Sequence, residues 1–279
     1  MHKNNHIISF LGIALSLGLV SCDNLKEEDR YEPVRKPTIE KRMLLLEFTG
    51  NRCTNCPKGA AALHNIQNDY PGEVIVVGLH PEGGGPNTRP IGDQDFRCAE
   101  AQVMFEYYLP SGFPCAVFNG DKNTISTSYG TWSSTAYEIF KEWDENSVSA
   151  GMGIIANTNY NPVTREVEVE YSLDIYKNYS NPISILVWVM ENDIIGYQLD
   201  GDVYVPDYVH NHVLRSSLNG DWGQQLPPLQ LSEGATIDGK ASIILDESWV
   251  AENCEIVIFT FQTDNRFTEQ VTTVNLIEE

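Results

Sequence analysis

The stretch from residue 44 to residue 57 constrains the fold of this 279-residue chain more than any other. Its first residues, 44–48, are mostly apolar and predict a buried strand. The segment 58–70 has apolar residues at helical spacing and predicts a helix. Cys53 and Cys56 lie between the two, separated by two residues. A Cys-x-x-Cys at a strand-to-helix turn is typical of thiol–disulfide chemistry.

The start of a helix suits such cysteines for a chemical reason. A thiolate attacks disulfides, and the unpaired N–H groups and dipole at a helix N-terminus stabilise the anion. We therefore predict that Cys53 is exposed and attacks, while Cys56 lies beneath it and resolves the mixed disulfide. Half of a zinc site is the alternative, but no second Cys pair or Cys/His pair has the partner spacing.

The region around the two cysteines resembles the thioredoxin superfamily. Thioredoxins carry an acid–Phe pair whose acid is six residues ahead of the first cysteine, and Glu47 has that spacing to Cys53. They also carry a cis-proline in a Gly-hydrophobic-Pro sequence before a strand, which Gly112-Phe113-Pro114 matches. The resemblance implies an α/β thioredoxin-like domain. In it, Glu47 would help to move the proton of Cys56, and Pro114 would pack against the active cysteines.

Some residues near the motif depart from the thioredoxin pattern. The usual aromatic residues are replaced by Thr49 and Arg52, and Pro57 removes a backbone donor from the first helical turn. These departures leave the redox potential and the direction of exchange open. A surface acid on an edge strand is the alternative for Glu47, and the apolar residues around it argue against that alternative.

The first 41 residues predict a targeting segment and a tether. Residues 7–20 are apolar but too few to span a bilayer comfortably, which fits a signal-peptide core. This core ends at Leu19-Val20-Ser21-Cys22, which resembles the bacterial lipobox. Residues 1–21 would then be the signal peptide, and Cys22 the lipid attachment site. An ordinary secretory signal is the alternative. The charged segment 22–41 predicts a lipidated tether.

The remainder predicts two domains. Residues 42–147 alternate strand and helix patterns and form the thioredoxin-like domain. Residues 148–279 contain about seven short strand candidates separated by Gly, Asn, Asp and Pro. In one of them, 166–175, apolar residues alternate with mostly acidic ones, as in a half-buried strand. This pattern predicts an all-β sandwich of immunoglobulin-like architecture.

Charge and glycine content limit the expected ligands. With 18 basic and 39 acidic residues the net charge is −21, and no basic patch is visible, so we expect no nucleic-acid partner. The glycine-rich segment 81–90 is not followed by Gly-Lys-Ser/Thr, so it is not a phosphate-binding loop. We therefore expect no cofactor.

Three further cysteines follow the motif. Cys98 and Cys115 could form a structural disulfide, or Cys115, next to the predicted cis-proline, could be a third redox thiol. Cys254 lies in an apolar strand candidate and is predicted to be a buried thiol.

Two histidines offer a candidate metal site. His210 and His212 are two residues apart on a predicted strand, so both should point to one face. A third ligand such as Asp202 or Asp207 could complete a site. We expect packing histidines instead, and no metal.

Over its mature length the chain resembles a Bacteroidota lipoprotein family, the outer membrane proteins of the twenty-eight kilodalton type. Four segments carry this resemblance: 47–57, 208–215, 220–223 and 253–254. It implies an outer-membrane lipoprotein that faces the periplasm or the exterior and contacts the membrane through its lipid.

Two functions follow from these features. The first is thiol–disulfide exchange, which would make the chain an oxidoreductase acting on protein thiols and disulfides of the envelope. The second is a surface binding or adhesion module in which the Cys53–Cys56 bond is only structural.

Overall fold

A computed structural model of the protein describes residues 40–277. The predicted signal peptide, the predicted lipid attachment site at Cys22 and nearly all of the predicted tether lie outside these residues. Within the described range, no helix combines the length and the apolar character needed to cross a membrane. The described residues all belong to one compact unit.

The chain before residue 148 alternates strands and helices, as its sequence pattern predicts. Its elements are β1 (Met43–Phe48), α1 (Cys56–Asp69), β2 (Val74–Leu79), α2 (Ala99–Tyr108), β3 (Cys115–Phe118) and α3 (Trp132–Glu145). The later part of the described chain has strands as its regular elements, apart from short 3₁₀ turns. These are β4 (Met152–Asn161), β5 (Glu166–Ile175), β6 (Ile183–Glu191), β7 (Ile194–Asp200), β8 (Val203–His210), β9 (Val213–Ser217), β10 (Gln224–Leu226), β11 (Thr236–Ile244), β12 (Cys254–Gln262) and β13 (Thr268–Asn275).

These strands form three sheets. The large sheet has the order β13-β12-β6-β9-β2-β1-β3, and β10 pairs with β6 at its side. A second sheet has the order β11-β5-β4, and the hairpin β7–β8 forms the third. Strand β1 runs parallel to β2 and antiparallel to β3. Because α1 begins just after β1, the two cysteines lie beyond the carboxyl end of a strand that is paired on both sides.

Strand β6 shows how the large sheet is covered. All nine of its residues are buried. Ile185 and Val187 face a core shared with β4 and β5, whereas Leu186 and Trp188 face a core shared with α2. Because both faces of this strand are covered, it is mostly apolar, in contrast to the half-exposed alternation of β5.

The helices of the first part lie on opposite faces of the same sheet. Helix α2 covers one face, where its Met104 packs in a core with Leu44 and Leu46 of β1. Helices α1 and α3 cover the other face, where Leu63 of α1 packs in a core with Leu45. Since side chains alternate along a strand, Glu47 points to the same side as Leu45, towards α1.

The structure corrects the predicted division into domains 42–147 and 148–279. Strands from both sides of residue 147 share the large sheet, since β2 pairs with β9 through Gly78 and Val213. They also share a core, in which Leu46 of β1 packs with Trp188 of β6 and Phe259 of β12. The change from a helical to a strand pattern at 147 therefore marks a change of element type inside one unit.

Candidate active site at the Cys53–Cys56 disulfide

Cys53 and Cys56 are joined by a disulfide with a Cα–Cα distance of 5.3 Å. Helix α1 begins at Cys56, Asn55 is its N-cap residue, and Pro57 lies in the first turn. The turn before the helix is closed by two backbone hydrogen bonds, from the N–H of Cys53 to the Gly50 carbonyl (3.0 Å) and from that of Cys56 to the Cys53 carbonyl (3.3 Å). The disulfide thus lies at the predicted strand-to-helix turn.

The prediction that Cys53 is exposed is wrong, because a distant hairpin covers it. Cys53 is 2% exposed. In the β7–β8 hairpin, the N–H of Leu199 donates to the Asn51 carbonyl (2.8 Å), and the N–H of Gly201 donates to the Thr54 carbonyl (3.0 Å). A segment almost 150 residues further along the chain therefore forms hydrogen bonds with residues 50–56, which we call the cysteine loop.

The side chain of Gln198 adds to this cover. It is buried, and its amide nitrogen donates to the carbonyls of Gly50 (3.3 Å) and Cys53 (3.2 Å). Gln198 also faces a cavity that touches Cys56. Nothing in the local sequence around Gln198 predicts this position, since the contact exists only through the tertiary fold.

Glu47 is a buried acid behind the disulfide. It is 5% exposed, and its Oε1 atom has no hydrogen-bond partner. Burial raises the pKa of its carboxyl from 4.5 to about 8. The side chain is therefore predominantly protonated at neutral pH. The predicted burial of Glu47 agrees with the structure, and its proton-transfer role remains a prediction.

Pro114 lies near Glu47, on the same side of helix α1. The Phe113–Pro114 peptide bond is cis, and Pro114 is buried. Gly59, in the first turn of α1, lies against both residues. A Cβ atom on Gly59 would come within 2.8 Å of Glu47 Oε1 and within 2.9 Å of the Pro114 ring. The three predicted positions Glu47, Cys56 and Pro114 are thus brought together around one helical turn.

Two cavities meet at Glu47. The smaller, of about 40 Å³, is lined by Glu47, Cys56, His80 and Tyr208 among others, and it is large enough for water. The larger, of about 320 Å³, lies between α1 and β8 and is lined by Glu47, Tyr208 and His212 among others. Glu47 therefore lies between the disulfide and an open groove.

Three histidines near this site, His80, His210 and His212, are neutral at pH 7. Burial lowers the pKa of His80 to about 3 and those of His210 and His212 to about 4. His80 was not predicted as a site residue, and its Nδ1 atom has no hydrogen-bond partner. It follows the apolar strand β2, and no sequence motif distinguishes it.

The predicted pairing of His210 and His212 on one face is wrong. Strand β8 ends at His210, and the backbone of His212 is left-handed, with a φ of 60°. The Nε2 atom of His210 lies 3.3 Å from the Tyr197 carbonyl, and that of His212 lies 3.4 Å from the Gln67 amide. Within residues 40–277, no three His, Cys, Asp or Glu side chains are placed to hold a metal ion.

The candidate disulfide between Cys98 and Cys115 does not form. Both residues, like Cys254, are free thiols. Burial raises the pKa of Cys115 to about 11 and those of Cys98 and Cys254 to about 12. These side chains stay protonated at neutral pH, which argues against Cys115 as a third redox thiol. The predicted burial of Cys254 agrees with the structure.

Comparison with known proteins identifies the family. The model of the family described as outer membrane protein Omp28 matches residues 101–279. This is more than half of the chain, and the chain therefore belongs to the Omp28 family of outer membrane proteins. The match begins after Cys53 and Cys56, so any role of the disulfide depends on its geometry in this chain. A search of curated proteins found no match.

Two solved structures, HBP35 and AGR_C_4864, show a similar overall fold at low sequence identity, and a third structure aligns over less of the chain. HBP35 of Porphyromonas gingivalis is 16% identical with a TM-score of 0.67, and the alignment covers 86% of this chain and 77% of that one. Protein AGR_C_4864 from Agrobacterium tumefaciens is 14% identical with a TM-score of 0.51, covering 86% and 97%. A domain of the outer membrane lipoprotein Omp28 from P. gingivalis is 23% identical over 46% of this chain and 88% of that one, with a TM-score of 0.33.

Proposed function

We propose that this protein carries out thiol–disulfide exchange in the cell envelope through Cys53 and Cys56. The observation that carries the proposal is the unpartnered Oε1 atom of Glu47, buried beside the helical turn that begins at Cys56. Burying a carboxyl group without a full set of partners costs free energy. A disulfide that served only as a structural bond would not need such an acid, whereas a resolving cysteine needs a proton donor and acceptor.

The reaction begins with attack on the oxidised form. A substrate thiolate attacks Cys53 Sγ, a mixed disulfide forms, and the Cys53–Cys56 bond breaks with its electron pair on Cys56. Protonated Glu47 gives its proton to the Cys56 thiolate, directly or through water in the cavity that both residues line. A second substrate thiolate then attacks the substrate sulfur and releases Cys53 as a thiolate, which takes a proton from solvent. The substrate is oxidised to a disulfide as the protein gains two thiols, and the reverse sequence oxidises the protein.

The elements around the site support a thioredoxin-like arrangement. Parallel strands β1 and β2 flank α1, and antiparallel β3 follows the cis-proline. We assign the later strands to an immunoglobulin-like sandwich, in which the sheet β11-β5-β4 packs on β6 and β12. Lipidation of Cys22 would anchor the protein in the outer membrane, and envelope protein thiols and disulfides would be its partners.

A redox titration of the purified protein against dithiothreitol or glutathione, with an insulin-reduction assay beside it, tests the proposal. We expect Cys53 and Cys56 to exchange at a potential of about −270 to −120 mV, the usual range of oxidoreductases. Cys53→Ser should abolish insulin reduction, whereas Cys98→Ser, a matched removal of a free thiol, should leave it unchanged. Equal activity of both variants and the wild type would rule the proposal out.

The second candidate is a surface binding module with a structural disulfide. The burial of Cys53 beneath the β7–β8 hairpin favours it, since stable structural disulfides are inaccessible. In that case the bond should resist reduction to below about −300 mV. A double Cys53→Ser/Cys56→Ser variant should then keep any ligand or host-surface binding of the wild type.

A further inference from the structure

We infer that the β7–β8 hairpin is a lid over the disulfide, and that it must move away before a thiolate can attack Cys53. The inference rests on the proposed function, because it concerns how a substrate reaches the exchanging sulfur. Thiol–disulfide exchange requires access to the attacked sulfur. In the closed arrangement Cys53 and Cys56 are 2% and 3% exposed, so neither sulfur is open to a protein substrate.

The hairpin can move as a separate part. Its two strands form a sheet of their own, and neither strand belongs to the large sheet or to the sheet β11-β5-β4. An isolated two-stranded hairpin is at best marginally stable in water, so its position depends on what it packs against. Left-handed residues flank both of its ends, Asp193 before β7 with a φ of 53° and His212 after β8 with a φ of 60°. Such positions at element ends commonly serve as hinges.

A small set of hydrogen bonds holds the lid over the cysteine loop. Besides the backbone bonds of Leu199 and Gly201, the guanidinium of Arg52 donates to the Tyr204 hydroxyl at 3.2 Å. The other side of β7 is held by Gln94, whose side-chain amide accepts from the Tyr197 N–H (2.7 Å) and donates to the Tyr197 carbonyl (2.9 Å).

The outer side of the hairpin is open to solvent. Ile195 is 72% exposed and Val203 is 65% exposed. Opening therefore breaks mainly the contacts on the inner side of the hairpin, where the polar bonds to the cysteine loop lie. This makes a limited motion of the hairpin less costly than a rearrangement of the shared core.

The contacts of the lid also indicate what replaces it. With the hairpin open, the carbonyls of Asn51 and Thr54 lose the N–H donors of Leu199 and Gly201. An extended polypeptide can supply two such donors from its own backbone, as strand addition does elsewhere. The substrate class is therefore a protein segment that binds in an extended conformation, and the hairpin competes with it for the same carbonyls.

The rate at which a small phosphine reduces the Cys53–Cys56 bond tests the lid in the intact protein. The phosphine is oxidised to its oxide with oxygen from water, and two thiols form, so the measurement does not depend on catalytic activity. Gln198→Ala removes the amide that donates to Gly50 and Cys53. We expect this variant to be reduced about tenfold faster, because the loss of two hydrogen bonds favours the open form.

Two further variants extend the test: Tyr204→Phe is a second, milder perturbation of the lid, and Val203→Ala is the control. Tyr204→Phe removes only the hydroxyl that accepts from Arg52 at the protein surface, so it should fold normally and be reduced about twofold faster. Val203→Ala alters the solvent-exposed side of the same hairpin and should leave the rate unchanged. In native-state hydrogen exchange, the amides of Leu199 and Gly201 should exchange faster than those of β6, and Gln198→Ala should accelerate them further.

The outcomes separate the lid from the proposed function. Reduction of Gln198→Ala and Tyr204→Phe at the wild-type rate would overturn the lid, even if insulin reduction showed that the protein exchanges disulfides. Faster phosphine reduction of both variants, together with a Cys53–Cys56 bond that exchanges with neither glutathione nor dithiothreitol in the redox titration, would leave the lid standing and overturn the exchange function. Equal acceleration in Val203→Ala would show a general loosening of the hairpin and would also overturn the lid.

Discussion

Glu47 and Glu191 are both buried carboxyl groups, yet they lie in different regions and have opposite surroundings. Glu191, at the end of β6, is 2% exposed and binds the Arg215 guanidinium at 2.7 Å, while its other oxygen accepts from the Val250 N–H at 2.8 Å. Glu47 has an unpartnered oxygen, and burial alone determines the direction of its pKa shift. Burial by itself therefore does not reveal the role of an acid, whereas the presence or absence of a charge partner does.

The difference has a physical reason. A buried ion pair whose hydrogen bonds are satisfied fixes one arrangement of the chain, and removal of one partner leaves an uncompensated charge. A buried acid with no charge partner is neutral and can give or take a proton at neutral pH. We therefore assign Glu191 a structural role, whereas Glu47 has the surroundings that the proposed exchange reaction requires.

The largest expected effect is on the free energy of unfolding, when the ion pair between Arg215 and Glu191 is broken. Arg215→Ala leaves Glu191 buried without its cation and should lower the free energy of unfolding by about 3–5 kcal/mol. Lys240→Ala, which breaks a solvent-exposed pair with Glu170, should leave it nearly unchanged. Urea unfolding of both variants gives the comparison, and similar losses would contradict the structural role of Glu191.

The next effect concerns the Glu47 carboxyl and the rate of thiol–disulfide exchange. Glu47→Gln keeps the shape of the side chain but removes the proton donor, so exchange should slow by about a hundredfold. At pH 7 the carboxyl is neutral in the folded state but ionised in the unfolded state, so the variant should be at least as stable as the wild type. Stopped-flow insulin reduction and urea unfolding measure the two quantities. A variant with full exchange activity would place Glu47 with the structural acids.

The smallest effect is a pH dependence that only Glu47 should cause. Its pKa is raised from 4.5 to about 8, so the folded state binds more protons than the unfolded state in this window, and stability falls as pH rises. The buried histidines have lowered pKa values, and they add stability as pH rises through their ordinary value of 6.5. Lys41, with its pKa lowered to about 8, adds stability as pH rises through that value. These contributions should be the same in the wild type and in Glu47→Gln.

The difference between the wild type and Glu47→Gln isolates Glu47 between pH 6.5 and 8, because the other groups titrate alike in both proteins. Relative to Glu47→Gln, the free energy of unfolding of the wild type should fall by about 2 kcal/mol across this window, at up to about 1.4 kcal/mol per pH unit. Urea unfolding at a series of pH values measures it, and parallel curves for the two proteins would show that Glu47 does not titrate there.

Local sequence was enough to predict the centre of the site. An apolar run, two cysteines at a fixed spacing and a helical period place Cys53 and Cys56 on a strand-to-helix turn, because each pattern involves neighbours in the chain. The resemblance to thioredoxins at Glu47 and at Gly112-Phe113-Pro114 implied an acid beside the cysteines and a cis-proline, and the structure has a buried Glu47 and a cis Phe113–Pro114 bond. The alternating pattern of 166–175 predicted β5 with its correct bounds.

Only the tertiary structure decided what surrounds that centre. The burial of Cys53 depends on Gln198 and the hairpin, which no local period connects to the cysteines. The left-handed backbone at His212 separated two histidines that an unbroken strand would have aligned, and the shared core joined two halves that differ in pattern. Local spacing thus determined the identity of the reactive group. Long-range contacts decided its accessibility, because burial depends on residues that are distant in sequence.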